Sequence, residues 1–412
     1  MSSVPATPTA SLPRPAARRI DVTAERQATA GSVLGNHLNA AGSALPTARV
    51  VATVIDHLRA EELHGGYEAA AEQRHALERG YSSAADLIGA AADEVAFFDS
   101  ASTGLRTIVD ALRPPAGHRI IASSSTYVSH ALHLMSVAQE RGLELIVAPT
   151  TSDRTTDLRA LEEMLSDGTP SIVSVAHIPT SSGLVEPAAQ IGSLVREYGG
   201  TFILDATQSV GHLSVDVDEI ACDVLVTTGR KFLRAPRGSG FAYVRRELWE
   251  RMLPVAPDVR GAVWSGPRAW ELDSSARRFE TWEGSVAGRL GLGVAIEEAL
   301  SRDVEATESW LCDAGDRLRA GLTGVDGVTI ADPASTRSAI VTFVLEGVAS
   351  AQVVSELARR GVRVVSVPAS HGQWDLGDRG LASVVRASPH VYNDDGDLEA
   401  LVEGVASIRG SR

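Results

Sequence analysis

Lysine is almost absent from this chain. Of 38 lysines and arginines in 412 residues one is a lysine, Lys231, which leaves 37 arginines. Most positive surface positions accept either residue. Only an amine, however, loses its proton when desolvated and condenses with an aldehyde, and a guanidinium does neither. Lys231 is therefore either kept for its amine or left on the surface by drift, and its neighbours must decide. Cysteine is nearly as scarce. Cys222 and Cys312 are the two present, with no CxxC spacing, so a zinc centre has no support, no metal site is expected, and a reducing, cytoplasmic location fits. No apolar run reaches the ~18 residues of a membrane span. The N-terminus has no apolar signal core, and no hydrophobic stretch follows the Arg18-Arg19 pair. A net charge of −14 argues against a nucleic-acid partner, because phosphate binding relies on a basic surface.

What is present is ordinary for a globular protein: 44% hydrophobic and 22% charged residues, in a chain long enough for two domains with a full-sized core. Residues 1–18, rich in Ala, Pro, Ser and Thr, read as a disordered lead-in. Residues 19–285 are expected to form a large domain and 286–412 a bridging helix with a small one. Apolar positions recur at helical spacing over 47–91, interrupted at His64-Gly65-Gly66 and near Gly80, which predicts three helices.

Beyond residue 91 short apolar runs alternate with helical segments. Strands are expected at 94–98, 119–122, 143–147, 171–176, 201–204 and 223–227, and helices at 102–112, 129–141, 158–165 and 188–198. That alternation means a mainly parallel sheet with helices on its faces, an α/β fold. A helix from 286 to about 322, broken near Ser301, leads to an α+β unit with strands at 327–330, 339–344, 362–365 and 383–385 and helices at 352–360 and 398–408.

In parallel sheets ligands bind beyond the carboxyl ends of the strands. Asp205 ends one predicted strand, Gln208 follows three residues on, and Lys231 follows the next strand. A strand-end carboxylate and a lysine able to form a Schiff base suit pyridoxal 5′-phosphate (PLP): the carboxylate keeps the pyridine nitrogen protonated, and the lysine tethers the aldehyde and later acts as base. The turn Ser100-Ala101-Ser102-Thr103-Gly104 lies between a strand and a helix, and suits an anion site as well as it suits ordinary capping. Thr228 and Arg230 can reach the same phosphate, Arg230 through a charge-assisted pair. The small-residue turn Asn39-Ala40-Ala41-Gly42 lets backbone lie close to a substrate.

These residues resemble the aminotransferase class V family of PLP enzymes, of fold type I. The resemblance is carried by HLNAAG (37–42), SASTG (100–104), HIPTSSGLVEP (177–187), DATQS (205–209), TTGRKFLRAPRGSG (227–240), RRFE (277–280) and VVRASPHVYND (384–394). It implies that Lys231 carries the cofactor, Asp205 pairs with the pyridine nitrogen, Gln208 contacts the ring hydroxyl, and Ser102, Thr103, Thr228 and Arg230 serve the phosphate. Tyr127 stands where the family stacks an aromatic or a histidine on the ring. Arg386 matches the arginine that holds a substrate α-carboxylate, with Asn39 and Ala40 beside the substrate. The family often has Asn in place of Thr180, a cofactor contact, and His in place of Arg230. After RRFE this chain reads TWEGS where relatives have a threonine given across the dimer to the phosphate, so Trp282 or Glu283 stands near that place.

The region where desulfurases carry a nucleophilic cysteine, 365–383, has none here, and His371 and Trp374 in it suit a cover over a substrate as well as they suit a solvent loop. The wording is closest to the hercynylcysteine sulfoxide lyase and isopenicillin-N-epimerase-like branch. The expectation is therefore a homodimeric PLP enzyme that breaks a C–S bond by β-elimination on a cysteine S-conjugate or its sulfoxide. Transamination, epimerisation and decarboxylation are the alternatives, and a non-catalytic regulator the remaining one. Three weaker signals are read as structural or peripheral: GRLGLG (288–293) as a helix packing face, His130 and His133 as non-metal residues, and His64 and Tyr67 as flanking an entry.

Overall fold

A computed structural model describes residues 19–410. The lead-in expected over 1–18 lies outside the described residues.

The sheet that positions the site has seven strands among the described residues. Their spatial order is Val95–Phe98, Gly240–Val244, Val224–Thr228, Thr201–Asp205, Ser171–Ala176, Arg119–Ala122 and Glu144–Val147. The strand Gly240–Val244 runs antiparallel to both neighbours, and the remaining pairs are parallel. The central runs are mainly apolar because both faces are covered. Ile120, Ile172, Ile203 and Val224 enter one core, and Ile121, Val173, Phe202 and Leu225 enter the other. Each such side chain adds about 1.5–3 kcal/mol by leaving water.

The expected strands and helices of this region all appear, with ends shifted by a residue or so. Gly240–Val244 was not anticipated, nor was the hairpin Ala262–Gly266/Ala269–Leu272. Three helices do fill the region before the sheet, Ala48–His64, Gly66–Glu72 and Arg74–Ile88, but the second break falls at Gln73 and not near Gly80. Gly80 sits inside the third helix, where an added Cβ would stand 3.4 Å from Phe97 Cζ. That is ordinary contact distance, so this glycine neither ends the helix nor is required by the packing around it. The segment 288–293 is helical and packs closely, since a Cβ on Gly291 would meet Pro236 Cγ at 2.6 Å.

The bridge is two helices, Val286–Arg302 and Val304–Thr323. The break lies at Asp303 and not Ser301, because Asp303 adopts φ +76° and its side chain caps the next helix by accepting from Ala306 N at 3.1 Å. Beyond it, Val328–Ile330, Val341–Leu345, Ser383–Ala387 and Val365–Pro368 form an antiparallel sheet in that spatial order. The strand expected at 362–365 is divided. Val362–Arg363 pairs in parallel with Asn36–His37, and Val365–Pro368 joins the sheet. The Asn36–His37 pairing carries the turn at Asn39 to the foot of Ser383–Ala387, where Asn39 bridges to Ser388. That turn is a short helix, Ala40–Ser43.

Candidate active site

A cavity of about 270 Å³ opens at the carboxyl ends of the parallel strands. Eight residues named from the sequence line it: Ser102, Tyr127, Thr180, Asp205, Gln208, Thr228, Arg230 and Lys231. Each stands at or just past a strand end or at a helix start, so the sheet brings together positions up to 129 residues apart in the chain.

Asp205 is the last residue of its strand and is 6% exposed. Its Oδ1 accepts from Thr207 N at 3.0 Å, and its Oδ2 lies 3.0 Å from His130 Nδ1. Burial alone would raise its pKa, but the charge and hydrogen bond of His130, then Thr207 and Lys231, outweigh burial and hold the carboxyl at about 2. His130 is thus part of the site, a role missed at the sequence level, where no pattern links a helix residue to a strand end 75 positions later.

Lys231 follows the strand Val224–Thr228 through the turn Gly229-Arg230 and is 8% exposed. Burial, then Arg230 and Arg386, push its pKa down to about 7, against the opposing pull of Asp205. Its Nζ stands 5.9 Å from the centre of the Tyr127 ring. About half of the amine is therefore neutral near pH 7, the form that condenses with an aldehyde.

At the start of the helix Ala101–Leu112, Ser100 Oγ caps Thr103 N at 3.2 Å, and Ala101 N donates to Thr228 Oγ1 at 2.9 Å. These bonds join the helix start to the end of the Lys231-bearing strand. Thr103 lines an adjoining cavity of about 140 Å³, with its hydroxyl 3.1 Å from Ser100 Oγ. Arg230 donates to the Gly42 carbonyl.

On the opposite side Arg386, 4% exposed on Ser383–Ala387, donates through Nη1 to Thr180 Oγ1 at 2.6 Å and to the Thr180 carbonyl at 3.1 Å. Its Nη2 reaches Asn39 Oδ1 at 3.5 Å. Burial and then Arg230 lower its pKa to about 10. Ala40 is buried, with its N–H on the Ser388 carbonyl at 3.0 Å.

Several buried polar atoms of the cavity lining have no partner in the protein: Gln208 Oε1, Thr207 Oγ1 and His130 Nε2. Gln208 Nε2 meanwhile donates to the Ala41 carbonyl at 3.1 Å. Buried polar groups are normally paired, so this cluster beside a lysine of lowered pKa and an ionised aspartate fits a polar aromatic aldehyde such as PLP.

Other named residues lie apart. Trp282 faces a separate cleft of about 650 Å³ with Tyr67, whereas Glu283 lines both that cleft and the adjoining 140 Å³ cavity beside Thr103; neither lines the Lys231 cavity itself. Trp374 packs against the sheet core and not over the cavity, and its neighbour Asp375 accepts from Ser181 Oγ at 2.6 Å, which fastens the 365–383 segment to the large unit. Cys222 and Cys312 are buried. Burial raises both thiols, Cys312 to about 11 and Cys222 further.

The fold is that of PLP-dependent enzymes of fold type I, with Asp205 and Lys231 lining one cavity. The sequence matches the aminotransferase class-V family over residues 37–401. It is 30% identical over 391 residues to a probable hercynylcysteine sulfoxide lyase of Mycobacterium tuberculosis, covering 92% of this chain and 93% of that one. A probable cysteine desulfurase of Methanothermobacter thermautotrophicus is 24% identical over 369 residues, 89% of this chain and 92% of that one. The apo cysteine desulfurase structure from Thermococcus onnurineus shares the fold, with a TM-score of 0.88 at 22% identity over 96% of this chain and 100% of that one. The chain belongs to the aminotransferase class-V family, and its cofactor is PLP. No helix among the described residues is long and apolar enough to cross a membrane.

Proposed function

We propose that this enzyme breaks a C–S bond by β-elimination on a cysteine S-conjugate or its sulfoxide. The observation that carries the reading is the placement of the two thiols. Both are buried away from the cavity with raised pKa values, and the 365–383 segment is fastened by Asp375. A persulfide-forming route needs a reactive thiolate at the site. Elimination needs only a base, an electron-poor ring and a carboxylate clamp. The similarity to a probable sulfoxide lyase supports the same choice.

When bound, PLP supplies a ring that accepts the electrons released at the substrate's Cα. In this reading Lys231 carries the cofactor and Asp205, kept ionised by His130, faces its ring nitrogen. Gln208 and Tyr127 serve the ring, Thr180 stands beside it, and Ser102, Thr103, Thr228 and Arg230 serve the phosphate. Arg386, aimed by Thr180 and Asn39, holds the substrate α-carboxylate alongside Ala40. Lys231 Nζ takes the Cα proton, the C–S bond breaks with its electron pair leaving on sulfur, and water completes the conversion to pyruvate and ammonia. A low-pKa leaving group such as a sulfenate departs readily.

We take the chain to act as a cytoplasmic homodimer. The exposed apolar row Val51, Ile55 and Leu58 on helix Ala48–His64 supports an interface. Incubation with an S-alkylcysteine sulfoxide tests the reaction. Pyruvate without any 2-oxo acid acceptor supports elimination, and strict dependence on an acceptor refutes it in favour of transamination.

A further inference from the structure

The loop between Lys231 and the strand Gly240–Val244 carries a second arginine into the cavity. Arg237 lines it with Arg230, Ser102 and Thr228, and adjoins Gly238, which also faces the neighbouring cavity at the helix start. The loop is closed on itself. Gly229 N donates to the Ser239 carbonyl at 2.8 Å, Ala235 N to the Gly229 carbonyl at 2.9 Å, and Ser239 Oγ to the Pro236 carbonyl at 2.6 Å. Gly238 turns the chain at φ +80°. These bonds hold Arg230 and Arg237 on one compact support.

Neither guanidinium forms an ion pair with a carboxylate among the described residues. Arg234, three residues earlier, does, with Glu25 at 2.7 Å. Asp99 also lines the cavity, but its Oδ1 accepts from Ser100 Oγ at 3.3 Å and it reaches neither arginine. Two cations therefore share one end of the cavity without a counter-ion, and the charge of Arg237 disfavours that of Arg230. Arg237 is exposed at the cavity mouth and Arg230, which also donates to the Gly42 carbonyl, is half-buried, so both guanidinium groups are accessible to an anion that would relieve their repulsion.

Charge balance says which anion. The third unpaired arginine, Arg386, stands on the Thr180 side with one charge to offset, which suits a carboxylate. The Arg230–Arg237 end offers two, which suits a phosphate dianion. We propose that Arg237 is a phosphate-binding residue that, with Arg230, neutralises the PLP phosphate from within its own chain, in a protein that reads TWEGS where relatives supply a threonine from the partner. The proposal rests on the reading of this cavity as the PLP site.

The test titrates cofactor-free wild type, Arg237→Gln and Arg237→Lys with PLP, with pyridoxal, which lacks the phosphate, and with inorganic phosphate. In Arg237→Gln, affinity for PLP and for inorganic phosphate should fall about tenfold or more, as expected for loss of one charge-assisted contact, while pyridoxal binding stays unchanged. Arg237→Lys should recover part of the loss. Unchanged PLP affinity overturns the proposal, as does equal weakening of PLP and pyridoxal, which marks a merely structural role. Arg230→Gln separates the two levels. If it alters the PLP-to-pyridoxal ratio and Arg237→Gln does not, the assignment of Arg237 fails and the site stands. If neither alters the ratio, the phosphate does not lie at this end.

Discussion

The sharpest prediction concerns the amine of Lys231 in the cofactor-free protein. Its pKa is about 7 in the folded chain against 10.5 for a free lysine, with burial the largest cause and Arg230 and Arg386 next. The sign follows from proton uptake. A lysine whose folded pKa is lowered destabilises the fold wherever the unfolded chain holds the proton and the folded chain does not. The penalty is nil above 10.5, grows as pH falls, and is complete below about 7. At 1.36 kcal/mol per unit, it amounts to about 4 kcal/mol at pH 7 and about 1.5 kcal/mol at pH 9.5. Lys231→Met should therefore stabilise the cofactor-free protein by that margin at pH 7, with the gain shrinking toward pH 9.5, as read by denaturant unfolding.

Direct titration is available because the chain has one lysine: growth on lysine labelled with ¹³C at Cε gives one resonance. Its midpoint should lie near 7, move up in Arg386→Gln and move down in Asp205→Asn, since those groups act in opposite directions. A midpoint near 10.5, or a stability gain independent of pH, would refute the account of a desolvated amine.

The other predictions concern the remaining groups of the site and its surroundings. Lys231→Ala should lower turnover by about 10²–10⁴-fold or more, the usual weight of a positioned base, and borohydride reduction should then attach no pyridoxyl mass to the chain, whereas the wild type gains it at Lys231. Arg386→Lys should raise KM for the amino-acid substrate, because an ammonium cannot keep the two-point hold on Thr180 and the carboxylate together. Glu186 is buried against Ser125 and Thr156, and burial raises its pKa from 4.5 to about 7. The fold thus loses stability as pH rises from 4.5 to 7, and Glu186→Gln should gain about 3 kcal/mol above pH 7 and nothing below 4.5. Replacing Cys222 and Cys312 together by alanine should leave turnover of a sulfoxide substrate in place, and its complete loss would revive a persulfide route.

Much of the site was legible in the sequence. Strand-end residues follow short apolar runs, so the sequence alone places Asp205, Thr180 and Thr228 at the carboxyl end of a sheet. Contacts made between helices and strands were less so. His130 looked like a helix residue without a partner, and only packing of Val128–Arg141 beside the sheet sets it 3.0 Å from Asp205. Gly80 reads as a helix breaker in one dimension, but the helix Arg74–Ile88 runs through it, because buried packing of the helix outweighs the propensity of a single glycine. The strand at 362–365 hid two partners, since an extended segment does not announce which edge it will join.

The sequence by itself determined the alternation of strands and helices and the chemistry available. A chain with 37 arginines and one lysine can attach an aldehyde at one side chain, and the residues around it choose PLP. Tertiary structure decided what state those groups adopt. Burial, with Arg230 and Arg386 nearby, lowers the pKa of the amine to about 7, and His130 keeps Asp205 ionised against burial. The closed 229–239 loop places Arg237 beside Arg230. The reason is physical: residue type sets which proton or bond a group can handle, whereas desolvation and opposing charges act through distances that arise only when segments far apart in the chain are packed together.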